Sequence, residues 1–141
     1  ILVSITFHSC RPCGLKYVMA GIKFTTTNSA YYNKQIQVVK YQALIPIDTF
    51  YLSTFTSKSP SAVLMIRPED APLYSYILSI EGRSNDDTIS AIELEMKDPD
   101  CNPSIAKFDF LYNGQNITGN DYPALSKFSN RLLVGNNKFL S

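Results

Sequence analysis

The sequence predicts an α/β fold, a mixed β-sheet flanked by helices, over residues 1–97, with a C-terminal extension over residues 98–141. Two observations indicate the helices: apolar residues recur at helical spacing in two segments, and each segment follows a helix-start signal. A third observation indicates the sheet, because the segments between the helices are rich in β-branched and aromatic residues. A strand–helix–strand order requires a crossover, so the sheet is expected to combine parallel and antiparallel pairs.

The first part of the chain predicts a strand, a helix and a second strand. Residues 1–7 form an apolar run typical of a buried strand. Residues 13–26 are predicted to form a helix, and Pro12 suits its first turn. The apolar residues of this helix fall on one face, at Leu15, Val18, Met19 and Ile22. Residues 35–47 predict the next strand, interrupted at Pro46.

The middle of the chain predicts a β-hairpin and a second helix. Residues 60–66 and 73–80 are short apolar segments separated by a turn-forming stretch, which indicates two antiparallel strands. Residues 84–87 supply N-cap side chains and first-turn acids for a helix over residues 86–97. The apolar residues of that helix recur at Ile89, Ile92 and Met96.

The extension follows a two-proline linker and predicts a β-hairpin and a short helix. Residues 105–112 and 116–118 flank Asn113-Gly114, a dipeptide typical of two-residue hairpin turns. Residues 123–133 predict the helix. The extension carries too many large apolar residues to leave in water, so it is expected to pack on the sheet or against a partner protein.

Composition and charge exclude several classes of partner. The 141 residues carry 13 Lys and Arg against 12 Asp and Glu, a formal net charge of +1, so no basic surface for nucleic acid is expected. The 45% hydrophobic content is typical of a folded domain. The longest apolar run is far shorter than the roughly 20 residues of a membrane-spanning helix, so no membrane span is expected in this chain.

The three cysteines indicate a local thiol or metal chemistry. Two of them stand in Cys10-Arg11-Pro12-Cys13, and the third, Cys101, follows 88 residues after Cys13. A small secreted scaffold held by disulfides normally has an even and denser set of cysteines. A structural disulfide framework is therefore not expected.

Residues 1–97 resemble the thioredoxin-like superfamily. The strand over residues 1–7 runs into a C-x-P-C turn, residues 10–13, that opens a helix, as in that family. Pro60, preceded by Ser59 and followed by an apolar strand, resembles the cis-proline loop of the family. The resemblance implies a thioredoxin-like sheet and thiol–disulfide chemistry, whereas the extension matches nothing in the family.

The sequence departs from that family at three positions near the turn. Ser9 stands where the family usually has tryptophan, Ser4 stands where a buried acid often lies, and Gly14 replaces a frequent basic residue. These differences affect proton transfer to and from the second thiol. They make a redox-weakened, substrate-holding member of the superfamily an additional expectation.

Thiol–disulfide exchange assigns separate roles to the two cysteines of the turn. Cys10 is expected to attack as the thiolate, because the helix N-terminus and Arg11 both lower the pKa of its thiol. Cys13, one turn further into the helix, is expected to resolve the mixed disulfide. The predicted catalytic residues are therefore Cys10 and Cys13.

Four residues are expected to contact the substrate of this oxidoreductase or substrate-holding protein. Arg11 and Pro12 lie between the cysteines, and a cis Pro60 would hold the backbone of Ser59 beside the sulfur atoms. The expected partner is a protein thiol or disulfide, or a partner subunit. No cofactor and no metal is implied.

Two other interpretations of the same residues stay open. His8, Cys10, Cys13 and Cys101 are four residues of the types that bind structural zinc, although their spacing is unfavourable. Alternatively, the cysteines are small apolar residues in an all-β sandwich, which also suits the Val, Ile and Tyr content. That alternative predicts a non-enzymatic binding or assembly subunit of a larger complex.

One short motif bears on the compartment of the protein. Asn116-Ile117-Thr118 fits the N-glycosylation acceptor pattern and lies in the predicted hairpin. The motif is compatible with the secretory pathway or another oxidising compartment and does not establish either.

Overall fold

The computed structural model describes residues 18–97, 103–118 and 133–140. These residues form nine β-strands and one short 3₁₀ turn, Ser29–Tyr31, and they contain no α-helix. In chain order the strands are β1 (Val18–Thr25), β2 (Ile36–Gln42), β3 (Ile45–Leu52), β4 (Ser61–Ile66), β5 (Ser75–Ile80), β6 (Asp87–Lys97), β7 (Ser104–Tyr112), β8 (Gln115–Thr118) and β9 (Leu133–Leu140).

The strands form two antiparallel sheets that share one core. The smaller sheet has the order β4-β1-β9, and the larger has the order β3-β2-β5-β6-β7-β8. Phe24 of β1 packs against Tyr112 of β7 with 6.2 Å between the ring centroids, so the inner faces of the sheets meet. The all-β sandwich, the alternative that the sequence left open, is confirmed, and the predicted α/β fold is wrong.

The core follows the period of two that half-buried strands require. Every second residue of β4 and β5 is buried, at Ala62, Leu64, Ile66, Tyr76, Leu78 and Ile80. Phe24, Phe55 and Phe110 are the largest of the completely buried side chains and fill the space between the sheets. This alternation leaves one face of each sheet outside the core.

The helix predicted over residues 13–26 is wrong in its described part, because Val18–Thr25 form β1. β1 is the central strand of the smaller sheet and pairs with β4 on one side and β9 on the other. Its buried apolar residues Ala20, Ile22 and Phe24 alternate along the strand. Pairing with two neighbouring strands satisfies the backbone of β1, and this tertiary pairing outweighs a weak helical spacing.

The helix predicted over residues 86–97 is also wrong, because Asp87–Lys97 form β6. Ile89 and Ile92 are both buried although they are three positions apart. Between them Ala91 has a positive φ of 49°, and the register with β7 shifts at the same point. This β-bulge adds one residue, so two strand segments with period two imitate a helical spacing.

The strands predicted over residues 60–66 and 73–80 are confirmed as β4 and β5, but their pairing as a hairpin is wrong. β4 pairs with β1 in the smaller sheet, whereas β5 lies between β2 and β6 in the larger one. The intervening residues therefore pass from one sheet to the other. The strand predicted over residues 35–47 divides into β2 and β3 at a turn formed by Ala43 and Leu44.

The Asn113-Gly114 hairpin is confirmed. β7 and β8 pair from Asp109 opposite Thr118 to Tyr112 opposite Gln115, so two residues form the loop. Asn113 and Gly114 have φ values of 50° and 82°, as a type I′ turn requires at both central positions.

The resemblance to thioredoxin is wrong at the level of the fold. Every strand ladder of the described residues is antiparallel, and the expected helix after the C-x-P-C turn is replaced by strand β1 from Val18 onward. The expectation of a redox-active disulfide depended on that helix, which was to lower the pKa of Cys10 and to place Cys13 one turn further. The finding of a strand there removes the basis of this expectation.

Strands from both sides of residue 97 contribute to both sheets. β7 and β8 extend the larger sheet beyond β6, and β9 pairs with β1 over its whole length. The predicted boundary between residues 97 and 98 lies at the edge of a described range. Cys101 of the predicted linker lies outside the described residues, and so does the helix predicted over residues 123–133 except for its last residue. None of the described residues forms a helix of the length and apolarity that crossing a membrane requires.

Candidate functional site

The predicted thiol site lies outside the described residues. This applies to Cys10, Arg11, Pro12 and Cys13, and also to His8, the remaining N-terminal residue of the possible zinc site. The roles expected for them therefore stay predictions from the sequence. Among the described residues no group of three or more His, Cys, Asp or Glu side chains is placed to hold a metal ion.

Ser59 and Pro60 lie in the turn before β4. The backbone N–H of Ser59 donates to Thr56 Oγ1 at 2.9 Å, and its carbonyl accepts the N–H of Thr56 at 3.0 Å. The carbonyl of Pro60 accepts the N–H of Thr26 at 3.1 Å, and no peptide bond of the described residues is cis. The cis-proline expected at position 60 is therefore wrong, and these backbone groups connect the turn to β1.

A buried polar cluster centres on Asp87, at the start of β6. Only 2% of the Asp87 side chain is exposed. Arg83 donates from Nη1 to Asp87 Oδ2 at 2.6 Å and from Nη2 to Oδ1 at 3.0 Å. The Tyr112 hydroxyl also donates to Oδ2, and Asn113 Nδ2 donates to Oδ1 at 2.9 Å. Each carboxylate oxygen thus accepts two hydrogen bonds.

The contacts with Asp87 and burial shift the pKa values of Tyr112 and Arg83. Burial, then the negative charge of Asp87 and its hydrogen bond, raise the pKa of Tyr112 far above the ordinary tyrosine value. Burial lowers the pKa of Arg83, but the hydrogen bond and charge of Asp87 outweigh it, so this pKa stands above its ordinary value. The phenol therefore stays a donor and the guanidinium stays charged. With every oxygen of Asp87 engaged, the cluster connects elements of the fold and offers no free group for chemistry.

The Asp87 cluster holds two loops together. The loop between β5 and β6 supplies Arg83, and the turn between β7 and β8 supplies Asn113. Asn113 also accepts the N–H of Thr88 through Oδ1 at 2.8 Å and donates its own backbone N–H to the Thr88 carbonyl at 2.8 Å. One end of the larger sheet is therefore fixed by polar contacts.

The hairpin between β2 and β3 is anchored where it leaves the sandwich. Lys40 places its ammonium 4.0 Å from the centroid of the Tyr74 ring and 3.7 Å from Asp70 Oδ2. Arg67 donates from Nε to the same Asp70 oxygen at 3.1 Å. These contacts join β2 to the loop after β4, so the stem of the hairpin has a fixed position.

Beyond this anchor the hairpin exposes several large apolar side chains that lie close together in the sequence. We call residues 43–47 the hairpin tip. Leu44 is 93% exposed, Ile45 66% and Ile47 45%, and Tyr51 further along β3 is 54% exposed. Single exposed apolar residues are ordinary, but contiguous ones mark interaction sites. The tip is therefore the candidate binding surface of the described residues.

The turn at the hairpin tip is unfavourable for its backbone. Ala43 has a positive φ of 55° and Leu44 does not, a pattern found in type II′ turns, where glycine is preferred at the first position. A residue with a Cβ atom in the left-handed region costs about 1–2 kcal/mol. Neither the backbone of the turn nor the core therefore explains why Ala43 and Leu44 occupy these positions.

β3 is an edge strand of the larger sheet. It pairs with β2 on one side, and no other described strand pairs with its second side. A β-bulge at Ile47 interrupts the pairing, because Tyr41 lies opposite Pro46 and Lys40 opposite Asp48. A proline and a bulge are devices that protect sheet edges, but they occupy only the first half of this strand.

The hairpin tip was not predicted from the sequence. Residues 35–47 were predicted as one strand, since no glycine, asparagine or aspartate marks the turn at Ala43 and Leu44. The available signal was Pro46, which is rare in central strands and typical of edge strands. It indicated an interruption but not a reversal of the chain.

Comparison of the chain with protein-family models, with curated proteins and with solved structures finds no significant match. The function is therefore argued from the residues of this chain and their geometry.

Proposed function

We propose that this chain is a non-enzymatic all-β binding or assembly module that contacts its partner through the hairpin tip and the edge of β3. The observation that supports the proposal most strongly is the exposure of Leu44, Ile45 and Ile47 on one hairpin. A fully buried Leu or Ile side chain contributes about 1.5–3 kcal/mol. The fold leaves this stabilisation unused, whereas a partner that covers the tip gains it.

The distribution of polar residues supports a binding role. Asp87, one of the two buried polar residues in the described part of the chain, is saturated by Arg83, Tyr112 and Asn113. Thr26, the other, accepts the N–H of Asn28 through its hydroxyl and donates its own N–H to Pro60. These groups stabilise loops and turns. By contrast, the stability of the fold does not explain the sequence of the hairpin tip.

Site-specific photocrosslinking tests this function. The full chain carries photoreactive benzoylphenylalanine in place of Leu44, or, as a matched control, in place of Thr88, an exposed residue of β6, which is separated from β3 by two strands of the sheet. Illumination in the native cells should give a discrete covalent adduct from position 44 and none from position 88. Excess unlabelled protein should abolish the adduct, because a specific site is saturable.

A competitor variant makes the test selective. Unlabelled protein with Ile45→Asp and Ile47→Asp should fail to compete, because charged residues cannot enter an apolar contact without a large desolvation cost. Equal adducts from positions 44 and 88, or competition by the variant as strong as by the unaltered protein, would show that the tip is not a binding surface.

A further inference from the structure

The side of β3 on which no described strand pairs presents the backbone groups of Thr49 and Tyr51. The N–H of Glu81, just after β5, donates to the carbonyl of Gln35, just before β2, at 3.0 Å. Backbone groups alternate in direction along a strand, so the odd-numbered residues of β2 face β5 and the even-numbered ones face β3. Asp48 and Phe50 of β3 lie opposite even-numbered residues of β2, so their backbone groups point to β2. The backbone groups of Thr49 and Tyr51 therefore point away from β2.

A side-chain contact agrees with this direction. The N–H of Thr49 donates to Oδ1 of the preceding Asp48 at 2.9 Å, so this N–H is not bonded to β2. The carboxylate of Asp48 thus covers the central donor of the open edge. Charged residues commonly protect an edge strand in this way.

We infer that β3 pairs antiparallel with β3 of a second copy of this chain, with Thr49 opposite Thr49 on the two-fold axis. This inference rests on the proposed function and identifies the partner of that site. In this register the outward backbone groups of Thr49 in one copy pair with those of Thr49 in the other, and Ile47 of each copy lies opposite Tyr51 of the other. Pairing displaces the Asp48 carboxylate from the Thr49 N–H.

The side chains of β3 favour this register over its neighbours. Thr opposite Thr and an aromatic residue opposite a β-branched one are favourable cross-strand pairs, whereas like charges directly opposite are unfavourable. Shifting the axis to Asp48 would place the two Asp48 carboxylates opposite each other. Shifting it to Phe50 would shorten the overlap to residues 48–52. The inferred register avoids the repulsion and retains residues 46–52.

The small number of residues on this surface predicts a weak dimer. A standard stable interface takes about 20–30 residues from each partner. The tip and the β3 edge instead offer four exposed large apolar side chains on one hairpin, Leu44, Ile45, Ile47 and Tyr51. The dissociation constant should accordingly lie in the micromolar range, and dimers should form in a concentration-dependent way.

Sedimentation equilibrium of the full chain tests the register. Ile47→Lys with Tyr51→Lys places lysine opposite lysine twice and should weaken the dimer about tenfold. Ile47→Lys with Tyr51→Glu places lysine opposite glutamate twice and should restore the dimer to within about threefold of the unaltered chain. Asp48→Ala removes the cover from the Thr49 N–H and should tighten the dimer.

The two double variants remove the same apolar groups and differ only in the sign of one charge. The free energy of unfolding of each variant, measured at concentrations where all chains are monomeric, shows that they fold equally. Equal dissociation constants for the two double variants would overturn the register. A chain that stays monomeric up to about 1 mM would overturn the inference altogether.

The outcome also separates this inference from the proposed function. A monomeric chain whose Leu44 position still gives a saturable adduct with another protein contradicts self-pairing and supports the binding surface. A monomeric chain without any adduct contradicts both.

Discussion

The larger sheet contains two hairpins with two-residue loops, and the residues that form the two turns differ in kind. The β7–β8 turn uses Asn113-Gly114, both at positive φ, and Asn113 makes polar contacts to Asp87 and Thr88. The β2–β3 turn uses Ala43-Leu44, with a strained first residue and an almost completely exposed second one. Stability explains each residue of the first turn and neither residue of the second. The difference assigns stability to one hairpin and binding to the other.

The largest expected loss of stability comes from a change in the Asp87 cluster. Asp87→Ala should lower the free energy of unfolding by about 3–5 kcal/mol, because it leaves the buried Arg83 charge without a partner. Urea unfolding measures the loss. Glu93→Ala, which removes an exposed ion pair with Lys107 at 2.7 Å, is the matched control and should cost less than about 1 kcal/mol.

A companion variant distinguishes the charge from the packing in that cluster. Asp87→Ala combined with Arg83→Met should be less destabilised than Asp87→Ala alone, because no unpaired charge then remains buried. If the double variant is the less stable of the two, the ion pair does not dominate the cluster.

Replacing Asn113-Gly114 by the Ala-Leu sequence of the β2–β3 turn should lower the free energy of unfolding nearly as much as Asp87→Ala does. Asn113→Ala with Gly114→Leu removes the side-chain bonds of Asn113 and puts a Cβ atom at a φ of 82°. We expect a loss of about 2–4 kcal/mol, the sum of the broken hydrogen bonds and the left-handed strain. A loss below about 1 kcal/mol, again by urea unfolding, would mean that this turn is no more optimised than the other.

Alkaline pH should lower the free energy of unfolding of the sandwich. Burial raises the pKa of Tyr76 to about 12, and burial with the Asp87 contact raises that of Tyr112 further. Unfolded tyrosines lose their protons near pH 10, so above it the unfolded state binds fewer protons and the free energy of unfolding falls. Each tyrosine contributes up to about 1.4 kcal/mol per pH unit.

The contribution of Tyr112 can be isolated by comparing slopes. Unfolding of Tyr112→Phe, measured from about pH 9 to 12, should show a shallower decline than the unaltered chain, although its stability at neutral pH is lower. Identical slopes would show that the hydroxyl of Tyr112 ionises equally in both states.

The smallest expected effect is a gain in stability at Ala43, the residue with a positive φ in the β2–β3 turn. Ala43→Gly should raise the free energy of unfolding by about 0.5–1 kcal/mol, because relief of the positive φ exceeds the greater flexibility of unfolded glycine. The adduct yield from position 44 should not change, since Leu44 is retained. A destabilised Ala43→Gly variant would show that Ala43 is not strained.

The sequence predicted the fold only where local signals agreed with the tertiary pairing. Asn113-Gly114 specifies its hairpin through backbone conformation alone, so this hairpin could be predicted. β6 could not be recognised, because the bulge at Ala91 converts a period of two into a spacing that resembles a helix. β1 is specified by its two neighbours, and contacts so distant in sequence leave no local signal.

The candidate site could be predicted even less. The thiol site depended on a resemblance at residues 10–13, outside the described residues, and the fold behind that resemblance is different. The hairpin tip consists of ordinary apolar residues, and only its exposure distinguishes Leu44 from a core leucine. Exposure is a property of the folded chain, so Pro46 could indicate an edge strand but not the exposed tip beside it.

The central claim is that the hairpin tip serves contact and not stability, and urea unfolding of Leu44→Asp with Ile45→Ser tests it most directly. The account predicts a free energy of unfolding within about 0.5 kcal/mol of the unaltered chain, as is usual for exposed positions. A loss of more than about 2 kcal/mol, typical of a buried leucine, would show that the tip belongs to the core and would contradict its assignment as the binding surface.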